Sequence, residues 1–252
     1  MIEIKIYGER NTGTNYLDKL IRLNFDARIL RGSADQIINI PLISYLLNSE
    51  CYKNVFFKLT FNKNLGWKHS DINNNRLLKS INENNNLRII IIVKNPYSFL
   101  LSLHNNPYHN WKLKNLTFEK FIEAPWKPVG RENLGNIILN SVQLWNIKTY
   151  GYLKVKSLFP NIVTIIKYEE LIANPFEVIK TISNKLNINC KQPLQNYFDS
   201  TKSPTRDYDY YYKYYINEEW RNQLDTKSIN TINKYLDINL IENLNYKFIT
   251  KL

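Results

Sequence analysis

Hydrophobic positions recur along the chain with two different periods, which predict strands in some segments and helices in others. Short apolar or alternating runs occur at residues 2–7, 54–59, 87–93 and 161–167, and runs of this length and composition are typical of β-strands. Longer segments with helical or mixed character separate the four runs. This alternation predicts a parallel sheet with helices packed on both of its faces.

The run at residues 87–93 has the strongest strand pattern in the chain. Its sequence is LRIIIIV, so that β-branched residues follow one another without polar alternation. A strand of this kind is typical of the centre of a parallel sheet, where both faces are buried. The run breaks at Asn95-Pro96, and Pro96 suits the first turn of a following helix.

Helical segments are expected between and after the strands. Pro96 and Pro175 each suit the first turn of one of these helices. The expected helices cover residues 14–23, 76–82, 96–104, 117–122, 136–158, 175–186, 218–224 and 228–235. The segment 124–135 contains Pro125, Pro128 and Gly130 and is expected to be a loop that acts as a substrate lid.

The composition narrows the class of protein. The 252 residues, 44% of them hydrophobic, are enough for one substantial core and predict a single domain over residues 1–252. No apolar run is long enough to span a membrane and the N-terminus has no signal-peptide pattern, so a cytoplasmic protein is expected. The net charge of +12 suits a polyanionic ligand, although the lysines are spread along the whole chain.

A glycine motif with sequence YGERNTGTN follows the first predicted strand and opens the first predicted helix. Gly8 and Gly13 have the spacing of a Walker A loop, in which backbone N–H groups and a helix N-terminus hold an anion. Thr14 stands where that loop has its lysine, and Asn15 stands where it has the hydroxyl that binds magnesium. A metal-dependent ATPase or kinase is therefore disfavoured, whereas a cradle for an oxyanion remains.

A second anion site is predicted where the strand at residues 87–93 ends. Lys94 follows this strand at its carboxyl end, where ligands bind in open α/β sheets. Ser102 lies eight residues later, two turns along the next helix. An ammonium and a hydroxyl in this arrangement are suited to a phosphate, so that the two predicted sites describe a nucleotide phosphorylated at both ends.

Four segments resemble sulfotransferases that use 3′-phosphoadenosine 5′-phosphosulfate (PAPS). One of them, GWKH at residues 66–69, occupies the region in which many of these enzymes carry their histidine base. GERNTGTNYL resembles their 5′-phosphosulfate loop, KNPYSFLLS resembles their 3′-phosphate segment, and KYEELIANP resembles a segment whose tyrosine approaches the adenine. The resemblance implies an α/β fold of the P-loop NTPase type, a three-layer sandwich with a central parallel sheet flanked by helices. Residues 1–190 would form the nucleotide-binding core, and residues 191–252 a helical, tyrosine-rich extension.

The resemblance also implies the reaction: a sulfuryl group moves from PAPS to a hydroxyl, less readily an amine, of a carbohydrate, glycolipid or small metabolite. PAP is the product, and neither a metal nor a nucleic acid is expected to take part. The residues implied in holding the nucleotide are Arg10, Asn11, Thr12, Gly13, Thr14, Asn15, Lys94, Ser102 and Tyr168.

The catalytic roles are assigned by the chemistry that the reaction needs. His69 is the expected base because the pKa of imidazole suits proton transfer near neutrality, and Lys68 and Arg10 are expected to stabilise the leaving phosphate. The family usually has a lysine or arginine where this chain has Asn11. His109 and Trp126 are expected in the acceptor pocket, with His109 as the alternative base.

Three alternatives remain open. A P-loop kinase of a small molecule would use the glycine motif, and a basic nucleic-acid-binding protein would use the charge and the tyrosines between residues 208 and 215. A protein of the sulfotransferase fold that has lost catalysis through Asn11 is the third. The sequence has no pattern that identifies the acceptor or the oligomeric state.

Overall fold

Four parallel strands form one sheet in the order β2, β1, β3, β4. The computed structural model describes residues 1–34, 49–199 and 206–250. The strands are β1 (Glu3–Gly8), β2 (Arg28–Ile29), β3 (Leu87–Val93) and β4 (Val163–Lys167). Helices flank the sheet, so that the predicted α/β architecture with a central parallel sheet is confirmed.

Strand β3 lies between β1 and β4, and most of its residues are fully buried. Its uninterrupted apolar sequence therefore reflects burial on both faces, as predicted. Gly8, the last residue of β1, pairs with Ile92 near the end of β3. The two predicted anion sites consequently follow neighbouring strands at the same edge of the sheet.

Twelve α-helices are present in the described ranges. They are α1 (Thr14–Asn24), α2 (Glu50–Leu59), α3 (Phe61–Asn64), α4 (Asn75–Glu83), α5 (Pro96–Asn105), α6 (Phe118–Glu123), α7 (Ser141–Leu158), α8 (Tyr168–Ala173), α9 (Pro175–Leu186), α10 (Tyr208–Ile216), α11 (Thr226–Tyr235) and α12 (Ile238–Asn243). Short 3₁₀ helices cover Tyr108–Asn115, Gly130–Glu132 and Glu219–Gln223.

The predicted helices agree with α1, α4, α5, α6, α9 and α11 to within about two residues at each end, and the expected helix 218–224 is the short 3₁₀ helix. Helix α7 begins at Ser141 rather than at residue 136. Its start is set by Asn140, whose side chain accepts a hydrogen bond from the backbone N–H of Gln143. Such a cap satisfies one of the free N–H groups of the first turn.

The prediction of a strand at residues 54–59 is wrong, because these residues belong to helix α2. Ser49 caps this helix by accepting a hydrogen bond from the N–H of Tyr52. Phe57 is the one buried residue of α2, while Leu59 is 78% exposed. Short apolar runs do not distinguish strands from helices by their period alone. The remaining strand of the sheet is the two-residue β2.

Residues 124–135 form a loop between α6 and α7, as predicted, with one short 3₁₀ helix at Gly130–Glu132, but their attachments to the core argue against a movable lid. Trp126 and Ile138 exchange two backbone hydrogen bonds of 3.0 and 2.9 Å, and Trp126 is fully buried. Glu132 is also fully buried and forms an ion pair with Arg10. Both ends of the segment are thus attached to the core. Among the helices of the described residues, none is both long and apolar enough to cross a membrane.

Candidate active site

The glycine loop joins β1 to α1 and has the conformation that its two glycines permit. Gly13 has φ +87°, and a Cβ there would lie 2.4 Å from the ring of Tyr168. At Gly8, a Cβ would lie 2.6 Å from the side chain of Ile92. Asn11 also adopts a left-handed conformation, with φ 63°, which asparagine tolerates better than most residues. The loop therefore requires glycine for close packing as well as for backbone geometry.

The polar side chains of the loop have different tasks. Thr12 is buried, and its hydroxyl donates to the carbonyl of Glu9 at 2.6 Å, which fixes the loop internally. Thr14 and Asn15 line a cavity at the start of α1. The side-chain oxygen of Asn15 accepts a hydrogen bond of 2.5 Å from the ammonium of Lys68. Lys68, which comes from another segment, thus brings an ammonium to the cavity beside the start of α1.

Two cavities meet at the glycine loop. One has a volume of about 570 Å³ and is lined by Ser102, Tyr168 and several tyrosines of α10. The other has a volume of about 710 Å³ and is lined by Lys68 and His69 among others. Asn11, Gly13 and Tyr197 line both cavities. A ligand bound along the glycine loop would therefore contact residues of both cavities.

His69 lies in the larger cavity in a fixed tautomer. Its Nδ1 is 2.5 Å from the carbonyl oxygen of Gly8. Since a carbonyl only accepts, Nδ1 donates the hydrogen and Nε2 of the neutral ring keeps its lone pair. Burial, followed by the charges of Lys68 and Arg10, lowers the pKa of His69 well below its usual value. The imidazole is consequently neutral at physiological pH, with its Nε2 lone pair free of a proton, but it is a weaker base than an ordinary imidazole, whose pKa was the reason for expecting it as the base.

Two buried lysines hold the segment that contains His69. The ammonium of Lys148 donates to the carbonyl of His69 and lies 3.3 Å from a carboxylate oxygen of Glu9. The ammonium of Lys5 donates to the carbonyls of Asn64 and Gly66, which precede the segment. Sequence reasoning missed both residues. Lys5 could have been identified from the sequence, because it is a charged residue in the middle of a strand that is otherwise apolar and buried.

Arg10 is paired with two carboxylates, which does not favour the role expected of it at the leaving phosphate. Its guanidinium is buried and forms ion pairs with Glu9 and Glu132. It also lies 4.6 Å from the ring centre of Trp67. Burial opposes the charge, but Glu132 and Glu9 raise the pKa of Arg10 above its usual value. Although Arg10 borders the larger cavity, two carboxylates already compensate its charge.

The two residues expected in the acceptor pocket differ in position. His109 lines the larger cavity, with Nε2 at 2.7 Å from the carbonyl of Lys127 and Nδ1 at 3.4 Å from Arg10. Nε2 also lies 2.9 Å from the side-chain nitrogen of Asn110, so both ring nitrogens have protein partners. Trp126 is fully buried and lines neither cavity. The expectation that Trp126 contacts an acceptor is therefore wrong.

Lys94 and Ser102 lie together, as their spacing of eight residues predicts. The ammonium of Lys94 donates to the hydroxyl of Ser102 at 2.9 Å, to that of Tyr215 at 2.7 Å and to the carbonyl of Asn11 at 3.3 Å. Lys94 is only 1% exposed. Burial lowers its pKa to about 7, although Glu169 opposes this shift. The cation thus connects the glycine loop, α5 and α10.

Tyr168 follows β4 and lies against Gly13, where it lines the smaller cavity. Its ring meets that of Tyr215 edge to face, with centres 4.9 Å apart. Tyr215 is a site residue that sequence reasoning missed. Tyrosines crowd residues 208–215, but no local pattern in the sequence connects Tyr215 with Lys94.

Comparison with known proteins agrees with this geometry. The family model of the sulfotransferase domain matches residues 3–245. The sulfotransferase domain from the curacin biosynthetic pathway has 14% identity and a TM-score of 0.50, with 98% of both chains covered. This likeness shows a shared fold. No curated protein matches the chain.

Two other solved structures are similar at lower scores. The sulfotransferase domain from the Synechococcus PCC 7002 olefin synthase has 12% identity and a TM-score of 0.47, with 93% of this chain and 94% of that chain covered. The sulfotransferase from Alicyclobacillus acidocaldarius has 14% identity and a TM-score of 0.41, with 95% and 98% covered.

Proposed function

Because the chain belongs to the sulfotransferase domain family, we propose that it transfers a sulfuryl group from PAPS to a hydroxyl of a carbohydrate, glycolipid or small metabolite. The observation that carries this proposal is the position of the glycine loop between two cavities. One cavity adjoins the Lys94 and Ser102 pair, and the other contains the neutral His69. A donor and an acceptor that occupied the two cavities would meet at the loop.

The residues of the loop and of the smaller cavity fit the nucleotide donor. Gly13 brings the backbone close to Tyr168 and leaves the start of α1 open to the cavities, where N–H groups without helical partners bind anions. Aromatic rings such as those of Tyr168 and Tyr211 line the space beside it and are suited to a purine. Asn15, at the position of the magnesium ligand in Walker A loops, accepts from Lys68 instead, and the proposed reaction needs no metal.

When bound, PAPS supplies a sulfuryl group activated by its anhydride bond to phosphate. Nε2 of His69 accepts the proton of the acceptor hydroxyl, and the hydrogen bond from Nδ1 to Gly8 keeps the ring in the required tautomer. The charge of Lys68, held beside Asn15, stabilises the leaving phosphate together with the N–H groups of the loop. Arg10 positions the loop through Glu9 and Glu132 instead of contacting the phosphate.

An assay with labelled PAPS and a panel of hydroxyl acceptors tests the proposal. His69→Asn is expected to reduce transfer about a hundredfold or more, the usual contribution of a general base, while the affinity for PAP stays within about twofold. His104→Asn is the matched control, because His104 lines neither cavity and bonds to the carbonyl of Leu116. Equal activity of the His69 variant and the control would contradict the assignment of the base.

His109→Asn tests the alternative base directly. Both ring nitrogens of His109 already have partners, so its replacement is expected to lower transfer by much less than that of His69. A larger loss at His109 than at His69 would exchange the two roles. Transfer that requires magnesium, or consumption of ATP in place of PAPS, would contradict the proposed reaction itself.

A further inference from the structure

In the predicted anion site beside α5, the hydrogen bonds can be assigned to their donors one by one. Lys94 has three N–H groups, and all three point to oxygen acceptors: Ser102, Tyr215 and the carbonyl of Asn11. Lys94 does not line the smaller cavity, whereas Ser102 and Tyr215 do. A ligand in that cavity therefore meets the two hydroxyl groups first, with the ammonium buried behind them.

The hydroxyl of Ser102 has no hydrogen to offer in this arrangement. Its oxygen accepts from Lys94, and its single hydrogen is donated to the carbonyl of Ser98 at 2.8 Å, one turn earlier in α5. A serine hydroxyl carries only one donor. Ser102 consequently orients the ammonium of Lys94, and an anion would have to compete with the carbonyl of Ser98 for its hydrogen.

The hydroxyl of Tyr215 is differently placed. Its oxygen accepts from Lys94 at 2.7 Å, and within the described ranges the acceptor recorded for its hydrogen is Ser102 at 3.3 Å, beyond the usual range for a bond between two hydroxyls. The ring is held by an edge-to-face contact with Tyr168 and a parallel contact with Tyr211. The phenol is thus fixed in place with its hydrogen available to the cavity.

Provided that the protein uses PAPS, as proposed above, we infer that Tyr215 donates the hydrogen bond that recognises the 3′-phosphate of the nucleotide. Ser102 and Lys94 then act indirectly, through the hydrogen bonds of Lys94 with Ser102 and with Tyr215. The hydrogen bond from the ammonium to the phenolic oxygen polarises the O–H group and strengthens it as a donor. Burial raises the pKa of Tyr215 to about 12, so that the phenol keeps its hydrogen at neutral pH.

Recognition of the 3′-phosphate is measured by comparing PAP with 5′-AMP, which lacks only that phosphate. The ratio of their dissociation constants is determined by calorimetry without metal for the wild type and for Tyr215→Phe. The variant is expected to lower the preference for PAP about ten- to a hundredfold, the usual effect of losing a hydrogen bond to a charged group, with little change for 5′-AMP. Tyr212→Phe is the matched control, because Tyr212 is in the same helix and does not line the cavity.

Ser102→Ala separates the two hydroxyl groups and keeps the test valid if the tyrosine variant folds poorly. Under the inference, this variant keeps most of the wild-type preference for PAP, and it loses several-fold less of that preference than Tyr215→Phe does. A preference for PAP that Tyr215→Phe leaves unchanged, or a larger loss in Ser102→Ala, would overturn it.

The result for the wild type distinguishes the inference from the function on which it rests. A wild-type protein that binds PAP no better than 5′-AMP contradicts the proposed use of PAPS. A wild type that prefers PAP, together with an unaffected Tyr215→Phe variant, contradicts only the role of Tyr215.

Discussion

The affinity for PAP should depend on pH through Lys94. Burial lowers the pKa of this ammonium to about 7, so it is mostly charged at pH 6.5 and mostly neutral at pH 8. A bound phosphate stabilises the charged form and therefore selects it. Affinity is expected to be full below pH 7 and to fall as the pH rises through that value.

The magnitude follows from the titration of a single group. At pH 8, one unit above the pKa, about one molecule in eleven retains the charge, so the apparent dissociation constant rises about tenfold. This corresponds to about 1.4 kcal/mol of binding free energy. The effect continues at about tenfold per unit until the pKa of the complex is reached. Measurements should stay above about pH 6.5, because the second pKa of a phosphate monoester is close to 6.

Calorimetric titration with PAP between pH 6.5 and 9 measures the dependence, and Lys94→Arg is the matched variant. A guanidinium keeps its charge over this whole range, so the slope should disappear in the variant even if the affinity at pH 6.5 is altered. 5′-AMP should show a much weaker dependence in both proteins. A wild-type affinity that is constant from pH 6.5 to 9, or a slope that survives in Lys94→Arg, would refute the reasoning.

Three further predictions concern the loop, the base and the core. Gly13→Ala should abolish detectable PAP binding, since its Cβ would lie 2.4 Å from Tyr168, and calorimetry measures this. Lys148→Met should lower kcat at least tenfold with little change in PAP affinity, because Lys148 donates a hydrogen bond to the carbonyl of His69. A variant that had only lost stability would instead have a smaller active fraction, which titration of its binding sites measures. Ile91→Ala should lower the free energy of unfolding by about 2–5 kcal/mol, as Ile91 is fully buried, and denaturant unfolding monitored by circular dichroism would show it.

The sequence predicted those parts of the molecule whose signals are local. The glycine loop between β1 and α1 and the step from β3 to α5 each combine a strand pattern with a turn residue and a helix start. Lys94 and Ser102 are eight residues apart, a separation fixed by one helix, so their contact followed from the spacing. The prediction of the fold class succeeded for the same reason.

The failures concern short elements and contacts between distant segments. Strand β2 has only two residues, which is too short for any periodicity to be visible. The carboxylate of Glu132 lies 122 residues from Arg10 and compensates its charge, a pairing that no local pattern predicts. Tyr215 is 121 residues from Lys94. These partners are set by how the segments after β4 and before α7 fold back over the sheet edge.

The central claim is that the two anion sites hold a nucleotide phosphorylated at both ends, and titration of the purified protein with PAP in the absence of magnesium tests it most directly. ADP and Mg-ATP are titrated under the same conditions. The account predicts micromolar binding of PAP that ADP does not match and that magnesium does not improve. Absence of PAP binding, or tighter binding of Mg-ATP, would contradict it.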